Sequence, residues 1–160
     1  MITQPVRDVL KKKEIQSLVT VAPEATVADA VKLMSDRGLG AVVIRAKAGS
    51  VDGIFTERDV MCRVVGEGRD PKATAVSAVM SPNVRKVGAD ASVEEVLRLM
   101  IVHGHRHIVV EEGATHGLVS IRDLMQWMIL PDEPIAPEGR VGVIRARTAD
   151  AVGAVKGVQP

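Results

Sequence analysis

The sequence predicts an α+β fold that contains the same structural unit twice. Residues 26–61 are repeated at residues 92–125, and the copies align without gaps from Thr26 to Ile44. Both copies end in one motif: Gly, two apolar residues, a hydroxyl residue, any residue, Arg and Asp. The motif occupies 53–59 and 117–123. Two long copies indicate a paired domain rather than a solenoid, so a site at one copy predicts a twin at the other.

Hydrophobic periodicity predicts the order strand, helix, strand, strand, helix in both copies. The predicted strands are Ser17–Val21, Ala41–Ile44 and Gly53–Phe55, then Val84–Val87, Ile108–Val110 and Gly117–Val119. The first helix of each copy begins at a capping box and ends at a glycine. These signals are Thr26 with Asp29 and Gly38, and Ser92 with Glu95 and Gly104.

A short helix is expected before each copy, and the motif opens the last helix of each copy. The short helices are predicted at Pro5–Lys13 and Ala75–Met80. The last helices should each have one apolar face. That face comprises Val60, Met61, Val64 and Val65 in the first copy, and Leu124, Met125, Met128 and Ile129 in the second.

The chain therefore divides into a unit at residues 5–66, a linker at 67–74, a second unit at 75–130 and an extension at 131–160. Prolines make the start of the extension irregular. Val141–Ile144 is a candidate edge strand and Thr148–Val155 a candidate short helix. A segment that ends in Gly and Pro residues is equally compatible with mobility, so the sequence leaves both alternatives open.

The composition is that of an ordinary globular protein, with 160 residues that are 46% hydrophobic and 26% charged. No apolar run is long enough to span a membrane, and the N-terminus lacks a signal-peptide pattern. A lone Cys62 fits a reducing compartment, so we expect a cytoplasmic protein. A net charge of +1 and only two aromatic residues, Phe55 and Trp127, give no reason to expect a nucleic-acid partner.

Few residues suggest catalysis. The sequence has no Ser-His-Asp set, no Gly-rich phosphate loop and no Cys-x-x-Cys motif, so we do not expect an enzyme. Cys62 lies on a predicted apolar helix face and is interpreted as a small core residue. His103, His105 and His107 alternate, as ligands of zinc or copper in one strand would, but Gly104 should end a helix among them. A metal or enzymatic site is therefore the least favoured alternative.

The two units, each ending in Gly-h-x-(Ser/Thr)-x-x-Asp, resemble a pair of CBS domains, which together form a Bateman module. The resemblance covers about residues 5–130. It implies pseudo-symmetric units packed sheet to sheet, with adenine nucleotides bound in the clefts between them. It also implies regulation rather than catalysis, no required cofactor beyond the bound nucleotide, and disc-like homodimers.

Carried over by position, Asp59 and Asp123 would accept hydrogen bonds from ribose hydroxyls. The resemblance places the phosphate beside hydroxyl and guanidinium groups, which bind phosphate oxygens well. Those residues are Thr56 and Arg58 in the first copy, and Ser120 and Arg122 in the second. Ile54 and Leu118 are the candidate walls for adenine.

The same residues also satisfy a purely structural pattern. Thr56 with Asp59, and Ser120 with Asp123, form capping boxes that would start two helices without any ligand. A capping box does not need the arginine that precedes each aspartate, whereas a phosphate site benefits from it. The repeated arginine therefore favours binding.

The two sites should differ. Before its second strand, the second copy carries His105 and Arg106 where the first carries Leu39 and Gly40. In the CBS family a basic residue here often reaches phosphate, so we expect His105 and Arg106 to add positive charge beside Asp123. Gly40 would allow a base to approach the backbone closely. We therefore expect the Asp123 site to prefer phosphate-rich ligands and the other site to be weaker or differently selective.

The function that these residues favour is a module that senses adenosine-containing ligands: AMP, ADP, ATP, NAD(H) or S-adenosylmethionine. Ligand binding would shift the relative orientation of the units or subunits and so bias an unidentified regulated protein. The first alternative is a dimerisation or scaffold module with empty clefts. Nucleotide binding itself distinguishes the two.

Overall fold

Two three-stranded sheets, one from each copy, form the centre of the protein and confirm the α+β class. A computed structural model describes residues 2–14 and 17–137; the candidate elements Val141–Ile144 and Thr148–Val155 lie outside the described residues. In each sheet the first strand pairs parallel to the middle strand, which pairs antiparallel to the third. The first sheet comprises β1 (Thr20–Val21), β2 (Ala41–Ile44) and β3 (Gly53–Thr56), and the second comprises β4 (Lys86–Gly88), β5 (His107–Glu112) and β6 (Thr115–Ser120).

The predicted element order is confirmed, although β1 and β4 are shorter than expected. Strand pairing begins only at Thr20 in the first sheet and at Lys86 in the second. The first helices, α2 (Val27–Arg37) and α4 (Val93–His103), begin and end where the capping signals place them. The glycines that end them, Gly38 and Gly104, adopt φ angles of 63° and 66°, which favour glycine.

The last helix of the first copy is irregular. The α-helical turn α3 (Glu57–Asp59) continues into a π-helical segment, Val60–Val65, whereas α5 (Ile121–Ile129) is a regular α-helix. Of the residues assigned to the two apolar faces, only Val64 and Leu124 are buried. Five others are exposed to solvent: Met61, Val65, Met125, Met128 and Ile129. Among residues 2–14 and 17–137, no helix has the length and apolarity needed to cross a membrane.

Each short helix packs on the core of the opposite copy. Helix α1 (Val6–Lys12) places Val6 and Val9 in the core cluster of the second sheet, and Val6 N–H donates to the Ala91 carbonyl (2.8 Å). The 3-10 turn Val76–Ala78 joins the core of the first sheet in the same way, through a hydrogen bond from Val76 N–H to the Ala25 carbonyl (2.8 Å). The chain therefore exchanges these two segments between its copies.

The exchange explains the glycine that begins each motif. A Cβ atom on Gly117 would lie 2.7 and 2.9 Å from the two methyl carbons of Leu10, which follows Val9 on α1. A Cβ atom on Gly53 would overlap the sulfur of Met80, in the segment that packs over the first sheet. Both glycines therefore leave room for a side chain of the exchanged segment.

The two sheets meet through the faces that point away from the two cores. Successive strand side chains alternate between faces. Val42 and Ile44 belong to the core cluster of the first copy, and Ile108 and Val110 to that of the second. The residues between them, Val43 and Val109, are fully buried but belong to neither cluster. This pattern confirms packing of sheet against sheet.

Gly117→Ala should lower the free energy of unfolding by about 1–3 kcal/mol, because the added methyl group overlaps Leu10 in a packed core. Urea denaturation would measure it. Gly88→Ala is the matched control, since a Cβ atom there meets nothing within 4 Å.

The double variant Gly117→Ala/Leu10→Ala should lose less free energy of unfolding than the sum of the losses in the two single variants, because truncating Leu10 removes the overlap. Strict additivity of the two would contradict this account of the motif glycine.

Candidate functional site

Two clefts lie beside the two motif aspartates, and they differ greatly in size. The Asp59 cleft has a volume of about 480 Å³, whereas the Asp123 cleft has a volume of about 50 Å³. Pockets for small ligands typically measure roughly 300–1,000 Å³. As the described residues form the two clefts, the Asp59 cleft therefore has room for a nucleotide and the Asp123 cleft does not.

Each cleft is lined by both copies. The Asp59 cleft combines the motif of the first copy with the residues that precede and begin β5. Motif residues Ile54, Thr56, Arg58 and Asp59 face His103, His105, Arg106 and His107 there. The Asp123 cleft combines Leu118, Ser120 and Asp123 with Val19, Leu39, Gly40 and Ala41. The end of each motif thus lies opposite the start of the middle strand of the other copy.

This arrangement overturns the predicted charge difference between the sites. His105 and Arg106 line the Asp59 cleft, and Leu39 and Gly40 line the Asp123 cleft. The sequence assigned both pairs to the motif of their own copy. The backbone of each pair does adjoin the motif of its own copy, since Glu57 N–H donates to the Gly40 carbonyl and Ile121 N–H to the Arg106 carbonyl. Pseudo-symmetric packing of the sheets nevertheless makes each pair line the cleft of the other copy's aspartate. The extra positive charge therefore belongs to the Asp59 cleft.

The Asp59 cleft is strongly cationic. Four arginines line it, Arg58, Arg63, Arg85 and Arg106, together with three histidines, and Asp59 is the only acidic group among the described residues that line it. Arg63 approaches Asp59 Oδ1 at 3.3 Å, and Arg85 Nη2 lies 3.2 Å from His103 Nδ1. The His103 and His105 rings stack with centroids 6.2 Å apart. Such a cleft favours an anionic ligand.

Arg63 and Arg85 were missed by the sequence analysis. Arg63 lies four residues after Asp59, on the same side of the last helix of the first copy, and this spacing is a signal that the sequence carries. Arg85 precedes β4 and reaches the cleft only because the second copy packs across the first. No spacing along the chain indicates that contact.

The motif aspartates form the predicted capping boxes. Asp59 Oδ2 accepts hydrogen bonds from Thr56 N–H and Oγ1, both at 2.8 Å, and Asp59 N–H donates to Thr56 Oγ1 at 3.3 Å. Ser120 N–H donates to Asp123 Oδ2 at 2.7 Å. Asp59 and Asp123 are buried. Each aspartate therefore stabilises the start of a helix irrespective of any ligand.

The Asp123 cleft is filled from within the chain. Lys13 Nζ donates to Asp123 Oδ2 at 2.6 Å and to the Leu118 carbonyl at 2.8 Å. Ala136 and Pro137 also line this cleft. Arg122, predicted to face phosphate, is not among the residues that line either cleft, and its Nη1 is buried without a hydrogen-bond partner.

Cys62 is not the core residue that the sequence predicts. It is exposed and lines the Asp59 cleft. The prediction assumed α-helical spacing, whereas this segment is π-helical, and its buried residue is Val64, which the sequence also placed on the apolar face.

The three alternating histidines lie in three different backbone environments. His103 ends α4, His105 follows the glycine cap and His107 begins β5. They line the Asp59 cleft without sharing a strand face. Within the described part of the chain, no group of three or more His, Cys, Asp or Glu side chains is arranged to hold a metal ion.

Comparison with known proteins places this architecture in a family. The CBS domain model matches residues 4–66 and 76–130. The CBS domain-containing protein CBSCBSPB2 of Arabidopsis thaliana is 33% identical over 142 residues, which cover 86% of this chain but 26% of that protein. An uncharacterised protein of Methanopyrus kandleri is 33% identical over 113 residues, 69% of this chain and 58% of that protein. The chain thus spans only part of these relatives.

Solved structures give the same result. A CBS-domain protein of Burkholderia ambifaria superimposes with a TM-score of 0.74 and 35% identity, over 83% of this chain and 98% of that one. The hexameric CBS-CP12 protein of bloom-forming cyanobacteria superimposes with a TM-score of 0.69 and 31% identity, over 98% of this chain and 91% of that one. The chain therefore belongs to the CBS-domain family and carries two CBS domains in tandem.

Proposed function

We propose that this protein is a sensor of adenosine-containing nucleotides and that its ligand binds in the Asp59 cleft. The observation that carries the proposal is an open cleft of about 480 Å³ that is lined by a buried carboxylate and four arginines. The carboxylate suits the ribose hydroxyls, and guanidinium groups suit phosphate oxygens. Ile54 and Val84 supply apolar surface for the base.

The charge of the cleft narrows the ligand class. AMP, ADP, ATP and NAD(H) carry phosphate groups that the arginines would neutralise. S-adenosylmethionine carries a sulfonium cation and no phosphate, so it is the least favoured candidate in this cleft. A phosphate-bearing nucleotide is therefore the proposed ligand.

Sensing would follow from the position of the cleft between the copies. A nucleotide that contacts Asp59 from the first copy and Arg106 from the second favours one relative arrangement of the two. That shift acts on a regulated protein only if the protein prefers one of the arrangements. The chain itself would supply no chemistry in this role.

Self-association would transmit the ligand-induced change in the arrangement of the two copies from one chain to another. The last helices of both copies expose apolar side chains, namely Met61, Val65, Met125, Met128 and Ile129. Clustered exposed apolar residues are typical of interaction surfaces. We therefore propose a homodimer formed through these helices; the related CBS-CP12 protein is hexameric. The same surfaces would serve the alternative function, a scaffold module whose clefts stay empty.

Millimolar AMP, ADP, ATP or NAD should raise the unfolding temperature of the wild-type protein, and the shift should shrink strongly in Asp59→Ala. A ligand at 100 times its Kd adds about 2.7 kcal/mol to the stability. Losing one hydrogen bond to a charged group costs about 1.5–3 kcal/mol, or roughly ten- to a hundredfold in affinity. Differential scanning fluorimetry measures the nucleotide-induced shift of the unfolding temperature in the wild type and in Asp59→Ala.

Asp29→Ala is the matched control for that experiment. Asp29 forms the same capping box with Thr26, is exposed and lines neither cleft. Asp29→Ala should therefore lower the unfolding temperature but keep the full nucleotide shift. No shift with any nucleotide in the wild type would favour the scaffold function.

Arg106→Ala should weaken AMP and ATP binding by about tenfold or more and leave adenosine binding unchanged, because only phosphate gains from the guanidinium. Titration calorimetry at low and high salt would also reveal a smaller salt dependence in the variant. Arg98→Ala is the control, since its side chain is 75% exposed on α4 and lines neither cleft. Equal losses for adenosine and ATP would assign Arg106 a structural role.

A further inference from the structure

We infer that the Asp123 cleft is a second adenosine site that the chain holds closed with its own Lys13, so that each chain binds one nucleotide rather than two. This inference rests on the proposed function of the Asp59 cleft.

The contacts of Lys13 occupy one oxygen of the Asp123 carboxylate and a backbone carbonyl of the same cleft. Its ammonium donates to the Asp123 carboxylate and to the Leu118 carbonyl, at 2.6 and 2.8 Å. The Lys13 side chain is 18% exposed and that of Asp123 5%, so the pair is well shielded from water. A ribose cannot donate to Asp123 Oδ2 without displacing this ammonium. The cavity that remains, about 50 Å³, is far too small for an adenosine.

The start of the C-terminal extension holds Lys13 in place. Ile135 N–H donates to the Lys12 carbonyl at 2.8 Å, and Glu14 N–H donates to the Ile135 carbonyl at 3.0 Å. The Ile135 side chain is buried in the core of the second copy. These bonds clamp the backbone on both sides of Lys13. Ala136, next in the chain, then lines the cleft.

The pseudo-symmetry of the fold identifies the residue that stands in place of Lys13 at the open cleft. Leu10 on the first exchanged segment and Met80 on the second lie over the motif glycines of the opposite copies. Lys13 follows Leu10 by three residues, and Asn83 follows Met80 by three. Asn83 lines the Asp59 cleft. A long cation therefore enters one cleft, and a short amide borders the other.

The ligand class of the closed site follows from its lining. The described residues that line the Asp123 cleft include no arginine, and its walls are largely apolar, with Val19, Leu118 and Ala136 among them. Once Lys13 is removed, Asp123 would accept hydrogen bonds from ribose hydroxyls. The opened site therefore suits the adenosine moiety itself rather than a long phosphate chain, so it should accept adenosine and AMP and discriminate against ATP.

Two single substitutions, Lys13→Asn and Asn83→Lys, test the inference by titration calorimetry with AMP. The wild type should bind one AMP per chain. Lys13→Asn should raise the stoichiometry to two, and its new site should also accept adenosine. Asn83→Lys should block the Asp59 cleft and lower AMP affinity by at least tenfold. Lys11→Ala, with a side chain 69% exposed, should still bind one AMP.

The outcomes separate this inference from the proposed function. Two sites in the wild type, or one site in a folded Lys13→Asn variant, would overturn the closure by Lys13 and leave the Asp59 site intact. Circular dichroism establishes folding, and Asn83→Lys gives an independent result because it leaves the Lys13–Asp123 pair untouched. Absence of AMP binding in all variants would overturn the proposed function and this inference together.

Acylation of lysine amines gives a readout that needs no nucleotide. In a time course followed by mass spectrometry, Lys13 should react more slowly than Lys11, because its ammonium is shielded and bound to Asp123. Asp123→Asn should raise the rate at Lys13 several-fold and leave Lys11 unchanged. Equal rates at Lys13 and Lys11 in the wild type would contradict the closed cleft.

Discussion

The exchange of two short segments between the copies is the constraint on which the rest of this structure depends. Helix α1 precedes the first copy but completes the core of the second, and the 3-10 turn after the linker completes the core of the first. Neither sheet has a full core without the segment that comes from the other side of the chain. Each exchanged segment therefore links one copy to the core of the other.

The same exchange determines what enters each cleft. The residues that follow α1 are carried to the Asp123 motif, and those that follow the 3-10 turn are carried to the Asp59 motif. The strands follow the same plan on both sides. The clefts differ through their side chains and through the start of the C-terminal extension, which lines the Asp123 cleft. Lys13 fills one, whereas Arg85 and Arg106 give the other its positive charge. A nearly symmetric fold thereby produces two unequal sites.

Local features of the fold were predictable from the sequence because they depend on neighbours along the chain. Capping at Thr26 and Thr56, the glycine ends of α2 and α4, and the strand Ala41–Ile44 need only a few consecutive residues. Contacts across the pseudo-symmetry were not predictable in the same way. The repeat shows that Leu39 and His105 correspond, but correspondence gives no indication of which motif each one faces.

The π-helical segment Val60–Val65 explains why the predicted burial of Cys62 was wrong. The apolar pattern of Val60–Val65 is compatible with an α-helix, and that assumption buried Cys62. The wider turn arises where the helix continues from a three-residue capping turn toward the linker. Helical periodicity alone does not reveal such a change of hydrogen bonding, so the exposure of Cys62 at the Asp59 cleft was visible only in three dimensions.

The capping role of the motif aspartates has an evolutionary consequence. Asp123 holds the start of α5 through Ser120 whether or not a ligand ever reaches it. A copy that lost its ligand would therefore remain under selection to keep the same aspartate, since replacing it would weaken the fold. In this chain the motif initiates a helix in both copies. Whether the cleft beside a motif can bind a ligand depends instead on the residues of the opposite copy that line it.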